Sequence, residues 1–519
     1  SAQVEVFAGD LYEWATLKVD AADEKTLERA GLRSDDFIQQ PVSAIRLQAL
    51  FEGLLVHLEN HGYPFAQVQL DSVSLSGRQL VAKLNIRKGP LYTIDSIRNQ
   101  GSARISTKYL QRYFGILSCS PYKSSVLQQI SVKVRESPFL QEQQPWEMVR
   151  LNTGAFLNLY LEPRKTNQLN VLIGLLPATQ VAGNYYEAPR NKFQFTGDAN
   201  IRLNNALGNG ETIGVNWQQL QVKSPRLNLL WEQPYLFGSS FGMKLNFDLL
   251  KKDTSFVNIN MLLGATYSNR SNRSGTFFVQ WLQSNVVTLD TQLLKLYRRL
   301  PPEADLRSLS LGVSVEGYTT DYRLNPLSGN EWQLTLTAGT KVVKKNPSLL
   351  QLKDPSDPSF QFEKLYDSFA TRSYQFRLKA YGAHFFRLAQ RSTLKWSVQG
   401  GWFQSPFTFR NELFQIGGYK LLRGFDEESI YASHYGVTTL EFRYLMNTNS
   451  YFFVFVDAGW ASNHALSGNP SQGYAGAGLG LTLQTTGGVF TISLAAGKRN
   501  DLPYNIRQTK VHLGYISYF

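Results

Sequence analysis

Two rhythms of apolar and polar positions divide the chain. Up to about residue 165 the apolar positions switch between a period of two and a helical period. Residues 11–19 alternate as a strand, and 23–31 predict a helix with an acidic start and a glycine stop. Residues 42–60 predict a longer amphipathic helix, with Ile45, Leu50, Leu54, Leu55 and Leu58 on one stripe and a close at His61-Gly62. Strands at 67–74 and 79–87 follow, joined by the turn Ser76-Gly77. The order then recurs. A strand is predicted at 92–99, a helix at 106–114 with a serine cap, a second helix at 123–136, further ordered structure at 148–151, and an alternating strand at 155–162. Two consecutive units of roughly 80 residues with one element order predict a tandem repeat.

From about Gln168 the helical signal vanishes, and short alternating segments run to the last residue. Tyr374, Phe376, Leu378 and Ala380 interleave with Gln375, Arg377 and Lys379. Leu394, Trp396 and Val398 interleave with Lys395, Ser397 and Gln399. The same holds for Leu440, Phe442 and Tyr444 around Glu441 and Arg443, and for Phe490, Ile492, Leu494 and Ala496 around Thr491, Ser493 and Ala495. Alternation alone also fits a soluble sandwich. Charges in mid-strand on one face, with aromatics on the other, point instead to a barrel with a wet interior. Residues 168–519 number 352, which allows 22 per strand and connection for 16 strands. Turn chemistry punctuates them at Asn204-Asn205 with Gly208 and Gly210, within 269–275, at Asn325-Pro326 with Gly329-Asn330, and at Gly487-Gly488.

Composition agrees with this picture. Aromatic residues reach 13%, including 26 Tyr and 32 Phe, as the aromatic girdles of membrane barrels require. No apolar run approaches the 18 or so residues of a membrane-spanning helix; the richest, 171–177 and 451–456, are strand-sized. The chain starts without a secretory signal, so it reads as a mature form. The lone Cys119 forms no intrachain disulfide and no thiolate metal site. The net charge of +13 is scattered rather than clustered, which suits anionic lipid or an aqueous lumen better than nucleic acid. Gly-x-Ser-x-Gly is missing, the six His show no metal spacing, and no phosphate loop is present. An enzyme is not expected, and neither is a cofactor.

Particular phrases carry a resemblance. Gly62-Tyr63-Pro64-Phe65-Ala66 and Gly89-Pro90-Leu91-Tyr92-Thr93-Ile94 look like the phrases that close and link POTRA domains. Ile416-Gly417-Gly418-Tyr419-Lys420-Leu421-Leu422-Arg423-Gly424-Phe425 is similar to a (V/I)RG(F/Y) motif, and Phe455-Val456-Asp457-Ala458-Gly459 has the form F-x-D-x-G. Leu422 departs from the usual Val or Ile. Trp231-Glu232-Gln233-Pro234-Tyr235-Leu236-Phe237-Gly238 and residues 321–329 are further matching phrases. Together they resemble the BamA–TamA superfamily of outer-membrane insertases and translocases over nearly the whole chain.

The resemblance implies a 16-stranded antiparallel membrane β-barrel at 166–519, preceded by two α+β POTRA-type domains at 1–89 and 90–165. It implies that Arg423, Gly424 and Phe425 sit at the tip of a loop folded into the lumen, with Arg423 against Asp457 and Gly459 nearby. It implies poorly paired first and last strands, at 168–177 and 509–519, whose seam opens sideways. Leu513, Gly514, Tyr515 and Phe519 would mark that seam and the C-terminal assembly signal. The implied work is insertion or translocation of unfolded client polypeptides through the seam, in the outer membrane, with the N-terminal domains in the periplasm. Membrane lipids are expected partners, with room for accessory periplasmic or lipoprotein subunits and none for nucleic acid. One rival is a two-partner secretion transporter with a dedicated passenger; two soluble units fit it, although Ser1–Asp10 is too short for the usual plug helix and linker. The other rival is a passive porin or receptor barrel.

Overall fold

The computed structural model describes residues 11–151, 154–176, 194–221, 224–270, 272–322, 325–369, 372–465, 471–485, 488–501 and 509–518. It divides into two compact units, Ser1–Arg164 and Lys165–Phe519.

The first unit contains two modules of one topology. In the first module β1 (Glu13–Val19), α1 (Ala21–Arg29) and α2 (Ala44–Glu59) precede the hairpin β2 (Gln67–Ser76) and β3 (Gln79–Arg87). The sheet order is β1-β3-β2, with β1 parallel and β2 antiparallel to β3. Leu50, Leu54 and Leu58 of α2 seal against Trp14, Leu17 and Leu84. Ile45, placed by the sequence on the same stripe, is 80% exposed: it sits in the first turn of α2, outside this core cluster. The second module repeats the plan with β4 (Thr93–Asn99), α3 (Thr107–Phe114), a two-residue β5 (Ser120–Pro121), α4 (Ser124–Gln128), α5 (Ile130–Glu136), β6 (Leu140–Leu151) and β7 (Gly154–Pro163). Its sheet runs β5-β4-β7-β6, with β4 parallel to β7.

Two sequence expectations change here. The single helix expected at 123–136 is two short helices meeting at Gln129. The ordered piece expected at 148–151 is the end of a 12-residue strand. That strand is polar, carries Pro145, and shifts register near Gln144, as an edge strand can. Burial holds the Lys133 ammonium below the ordinary lysine range while it donates to the carbonyls of Tyr113 and Phe114 at the end of α3. The two linking phrases meet where the modules join. Tyr92 N donates to Gly62 O at 2.8 Å, and the Phe65 and Tyr92 rings lie edge to face, 5.0 Å apart.

The second unit begins with β8 (Gln168–Leu176), β9 (Gln194–Asn204), β10 (Thr212–Gln221), β11 (Ser224–Gln233) and β12 (Phe241–Lys252). It continues with β13 (Phe256–Arg270), β14 (Arg273–Val286), helix α6 (Thr291–Tyr297), β15 (Leu306–Tyr318), β16 (Gly329–Val343) and helix α7 (Pro347–Leu350). Next come β17 (Arg372–Ala389), β18 (Ser392–Gln404), and a small separate hairpin of β19 (Phe414–Ile416) and β20 (Ile430–Ala432). The chain ends with β21 (His434–Asn447), β22 (Ser450–Ser462), β23 (Gln472–Gln484), β24 (Val489–Arg499) and β25 (Lys510–Tyr518). Without β19 and β20, the strands from β8 to β25 form one closed antiparallel barrel of 16, β25 pairing back onto β8.

The alternation explains the barrel. On β22, Phe455 and Asp457 are buried toward the lumen while Val454, Val456 and Trp460 are exposed on the outside. On β24, Ser493 and Ala495 are buried while Phe490, Ile492 and Leu494 face out. Large apolar residues lie bare on the outer wall, which water would penalise and lipid does not. No helix among the described residues is long and apolar enough to cross a membrane. Closure pairs the backbone of every wall strand on both sides, the condition for a sheet in hydrocarbon.

The seam between β8 and β25 carries eight consecutive partners, from Val511–Leu175 to Tyr518–Gln168. It is closed and in regular register, where the resemblance implied poor pairing. Eight partners match the ladders of β9–β10 and β11–β12 and exceed by one that of β24–β25, while β13–β14 pairs at fourteen positions. Leu513 is exposed on the outer wall, the Tyr515 ring tilts over Phe490 at 4.8 Å, and Gly514 packs against Leu172. Phe519, Pro177, Gly487 and the middle of the 269–275 turn lie outside the described residues.

Candidate functional site

Residues 405–433, between β18 and β21, turn back into the lumen. Their local sequence explains the path. A short 3-10 turn at Arg410–Glu412 is closed by Glu412, whose Oε2 accepts from Phe409 N at 2.9 Å. The hairpin β19–β20 then pairs Phe414 with Ala432 and Ile416 with Ile430. Leu413, Phe414, Ile416, Leu422, Ile430 and Tyr431 form an apolar knot with Phe403 of β18 and Tyr435 of β21.

Polar anchors tie this knot to the wall on nearly every side. Lys341 of β16 meets both carboxylate oxygens of Glu412 at 2.8 Å, with side chains 0% and 1% exposed. It also donates to the carbonyl of Phe407. Asn411 Nδ2 donates to Ser284 Oγ of β14 at 2.6 Å, and Arg377 of β17 donates to Glu412 O at 2.6 Å. Farther along the loop Glu428 pairs with Arg226 of β11 at 2.5 Å, and its carbonyl accepts from Lys252 of β12.

At the tip, Arg423 Nε and Nη2 donate to the two oxygens of Asp457 at 3.0 and 2.8 Å, and its backbone N donates to Asp457 Oδ2 at 2.9 Å. Its remaining Nη1 reaches Glu441 Oε2 of β21 at 2.5 Å. Asp457 also accepts from Thr439 Oγ1 at 2.8 Å, and Glu441 is shared with Arg443. The guanidinium stacks over the Phe455 ring at 3.4 Å. Phe455, Asp457 and Gly459 of the F-x-D-x-G phrase therefore share the lumen face of β22, beneath the guanidinium plane, its donor fork and Leu422 respectively. Phe425 meets the Tyr474 ring edge to face at 5.4 Å. Gly424 has φ +91° and lies on β24 so closely that a Cβ would meet Ala496 C at 2.5 Å. An added Cβ at Gly476 of β23 would meet the carbonyl oxygen of Arg423 at 2.2 Å. The Cβ that Gly459 lacks would come no nearer to Leu422 than 3.4 Å.

The structure thus brings Arg423, Gly424, Phe425, Asp457 and Gly459 together. Leu513, Gly514 and Tyr515 stand apart from them on the seam. Sequence reasoning missed Glu441, the Lys341–Glu412 pair and Gly476. Glu441, Lys341 and Gly476 are an acid, a base and a glycine in alternating strands and Glu412 is an acid in a loop turn, signals repeated many times along the chain. Among the described residues, no three His, Cys, Asp or Glu side chains gather as a metal site. The arrangement is suited to holding a segment in place and letting it go, by exchanging ion pairs.

A closed antiparallel barrel with apolar outer walls and a lumen occupied by one inward-folded loop defines a class: a transmembrane β-barrel with an internal plug. Residues 205–515 match the Omp85 superfamily domain, and the chain belongs to that superfamily, which places its barrel in the bacterial outer membrane. The fold is similar to that of CdiB from Escherichia coli (14% identity, TM-score 0.58), covering 100% of this chain and 93% of that one. It is also similar to CdiB from Acinetobacter baumannii (12%, 0.57), covering 99% and 91%, and to BamA from Haemophilus ducreyi lacking POTRA domains 1–3 (14%, 0.52), covering 98% and 100%. No curated protein sequence matches the chain.

Proposed function

We propose that this protein inserts unfolded polypeptides into the outer membrane, or passes them across it, by binding and strain rather than by covalent chemistry. In this reading the two N-terminal modules lie in the periplasm and receive clients along their sheet edges. The carrying observation is the lumen loop. It occupies part of the lumen and is fastened to separate strands by charge pairs and hydrogen bonds, a fastening that can be undone step by step. A passive porin needs an open lumen, and neither a porin nor a receptor accounts for two sheet modules ahead of the barrel in the chain.

Between the two routes we favour lateral insertion at the β8–β25 seam. The seam joins the first and last strands of the barrel, and β8, with the sequence QLNVLIGLL, has no charged side chain to hold it in place. A client strand would replace one seam partner by edge pairing. One observation favours the second route, export of a dedicated passenger through the lumen. A cavity of about 710 Å³ lies beside the loop, lined by charges of both signs including Arg226, Asp248, Arg377 and Glu428, and it would widen to a passage once the loop left.

The deciding experiment is depletion of the protein followed by quantitative proteomics of the outer membrane and the culture medium. A broad fall among barrel proteins supports insertion. Loss of one or a few exported proteins, with other barrels unchanged, supports dedicated export. No change in either fraction rejects both.

A further inference from the structure

Two charged residues flank Arg423 on the loop tip and reach opposite sides of the seam. Lys420 Nζ lies 2.8 Å from Asp198 Oδ2 on β9, the neighbour of β8. Asp426 Oδ1 lies 2.5 Å from Lys510 Nζ at the start of β25, and both side chains are buried. Beside them the Tyr419 ring tilts over His512 of β25 at 5.2 Å. The tip therefore bridges β9 and β25 across the lumen face of β8.

We propose that the lumen loop is a staple across the barrel seam, holding β9 through Lys420–Asp198 and β25 through Asp426–Lys510, so that β8 and β25 part only after the tip has left. The inference rests on the reading of the seam as the exit for clients. The mechanics follow from the pairing. β8 shares nine consecutive partners with β9, from Gln168–Arg202 to Leu176–Gln194, so the two strands swing together. On the other side β25 shares seven partners with β24, one fewer than across the seam, so the hold of Asp426 on Lys510 adds to a short ladder. Opening then carries Asp198 away from Lys510. The segment between Lys420 and Asp426 is pinned near its middle by Arg423 on β22 and cannot follow both strands. The Lys420 side chain is 67% exposed and its pair is screened, whereas Asp426–Lys510 is enclosed. Release accordingly begins at β9 and ends at β25.

The test uses the full chain in outer-membrane vesicles, with the exposed Cys119 replaced by serine. One cysteine pair is placed at the seam partners Leu513 and Ile173, and a control pair at the wall partners Leu263 and Val279. Disulfide yield under mild oxidation is compared between the pairs. The double variant Lys420→Gln/Asp426→Asn is expected to lower the seam yield several-fold and leave the control yield unchanged. Exchanging the charges, Asp426→Lys with Lys510→Asp, is expected to restore much of it. An unchanged seam yield in the double variant overturns the staple. If both yields fall because the double variant folds poorly, the exposed-side change Lys420→Gln alone is read by the same ratio, and an unmoved ratio there also overturns it. Client export is scored separately. Export that persists in the wild-type barrel while the seam yield ignores the staple retires this inference alone; a responsive seam in a chain that exports and inserts nothing retires the functional reading alone.

Discussion

The guanidinium of Arg423 meets the carboxylate of Asp457 fork to fork, with Nε and Nη2 donating to separate oxygens at 3.0 and 2.8 Å. Both groups are buried, and Glu441 closes the third side. Arg423→Ala strands the Asp457 carboxylate in the lumen and leaves Glu441 to Arg443 alone, a loss worth about 3–5 kcal/mol. The loop tip is expected to leave, exposing Lys420 to trypsin added outside the cell. Arg423→Lys keeps the charge but cannot form the fork, and cleavage should be intermediate. Full protection of the alanine variant would refute the lock.

Lys341 and Glu412 form a further enclosed pair, at the root of the loop. Lys341→Met alone leaves Glu412 without its counter-ion and should destabilise the barrel by about 3–5 kcal/mol. The double variant Lys341→Met/Glu412→Gln removes both charges, while the amide oxygen of the substituted side chain can still accept from Phe409 N, and should recover most of that loss. The temperature at which the barrel loses its compact mobility on a gel reads both. Equal losses in the single and double variants would mean that the pair carries no coupling.

The barrel was legible because alternation states its own period: Tyr374 to Ala380 and Phe490 to Ala496 show which face is lipid and which is lumen. The tip was legible because Arg-Gly-Phe and F-x-D-x-G are phrases in which spacing carries meaning. Glu441 and Gly476 belong to no phrase. Each matters through a neighbour across the sheet or a loop lying over it, and only the register tells which acid faces Arg423 and which glycine lies beneath its carbonyl. The edge strand β6 was hidden for a different reason: its polar sequence and Pro145 imitate a loop, because an edge asks little of its side chains.

Two glycines beside the tip separate sterics from charge. Gly476→Ala drives a methyl to within 2.2 Å of the Arg423 carbonyl oxygen, and Gly459→Ala places one no nearer than 3.4 Å to Leu422. Overpacking of this kind costs about 1–3 kcal/mol. Gly476→Ala is therefore expected to expose Lys420 to trypsin as Arg423→Ala does, with every charge in place, while Gly459→Ala stays protected. Cleavage of both variants alike would show that tip position does not depend on this close approach.

The N-terminal unit offers an independent prediction about clients. β2 is an edge strand of its sheet, and Val73 and Leu75 are each 56% exposed along it. An open edge with bare apolar side chains is a hazard unless an extended chain pairs there. Val73→Lys/Leu75→Lys alters surface positions and should move the stability of the module by no more than about 0.5 kcal/mol per site. It should nevertheless suppress client capture, read by photo-crosslinking from a probe placed at Ser74. A probe at Val56, exposed on α2, supplies the comparison, since a helix face has no unpaired strand backbone to offer. Equal client yields from both probes, or yields indifferent to the lysines, would move the receiving surface elsewhere. A yield confined to Ser74 and lost with the lysines would place the first client contact on this edge, ahead of any event in the barrel.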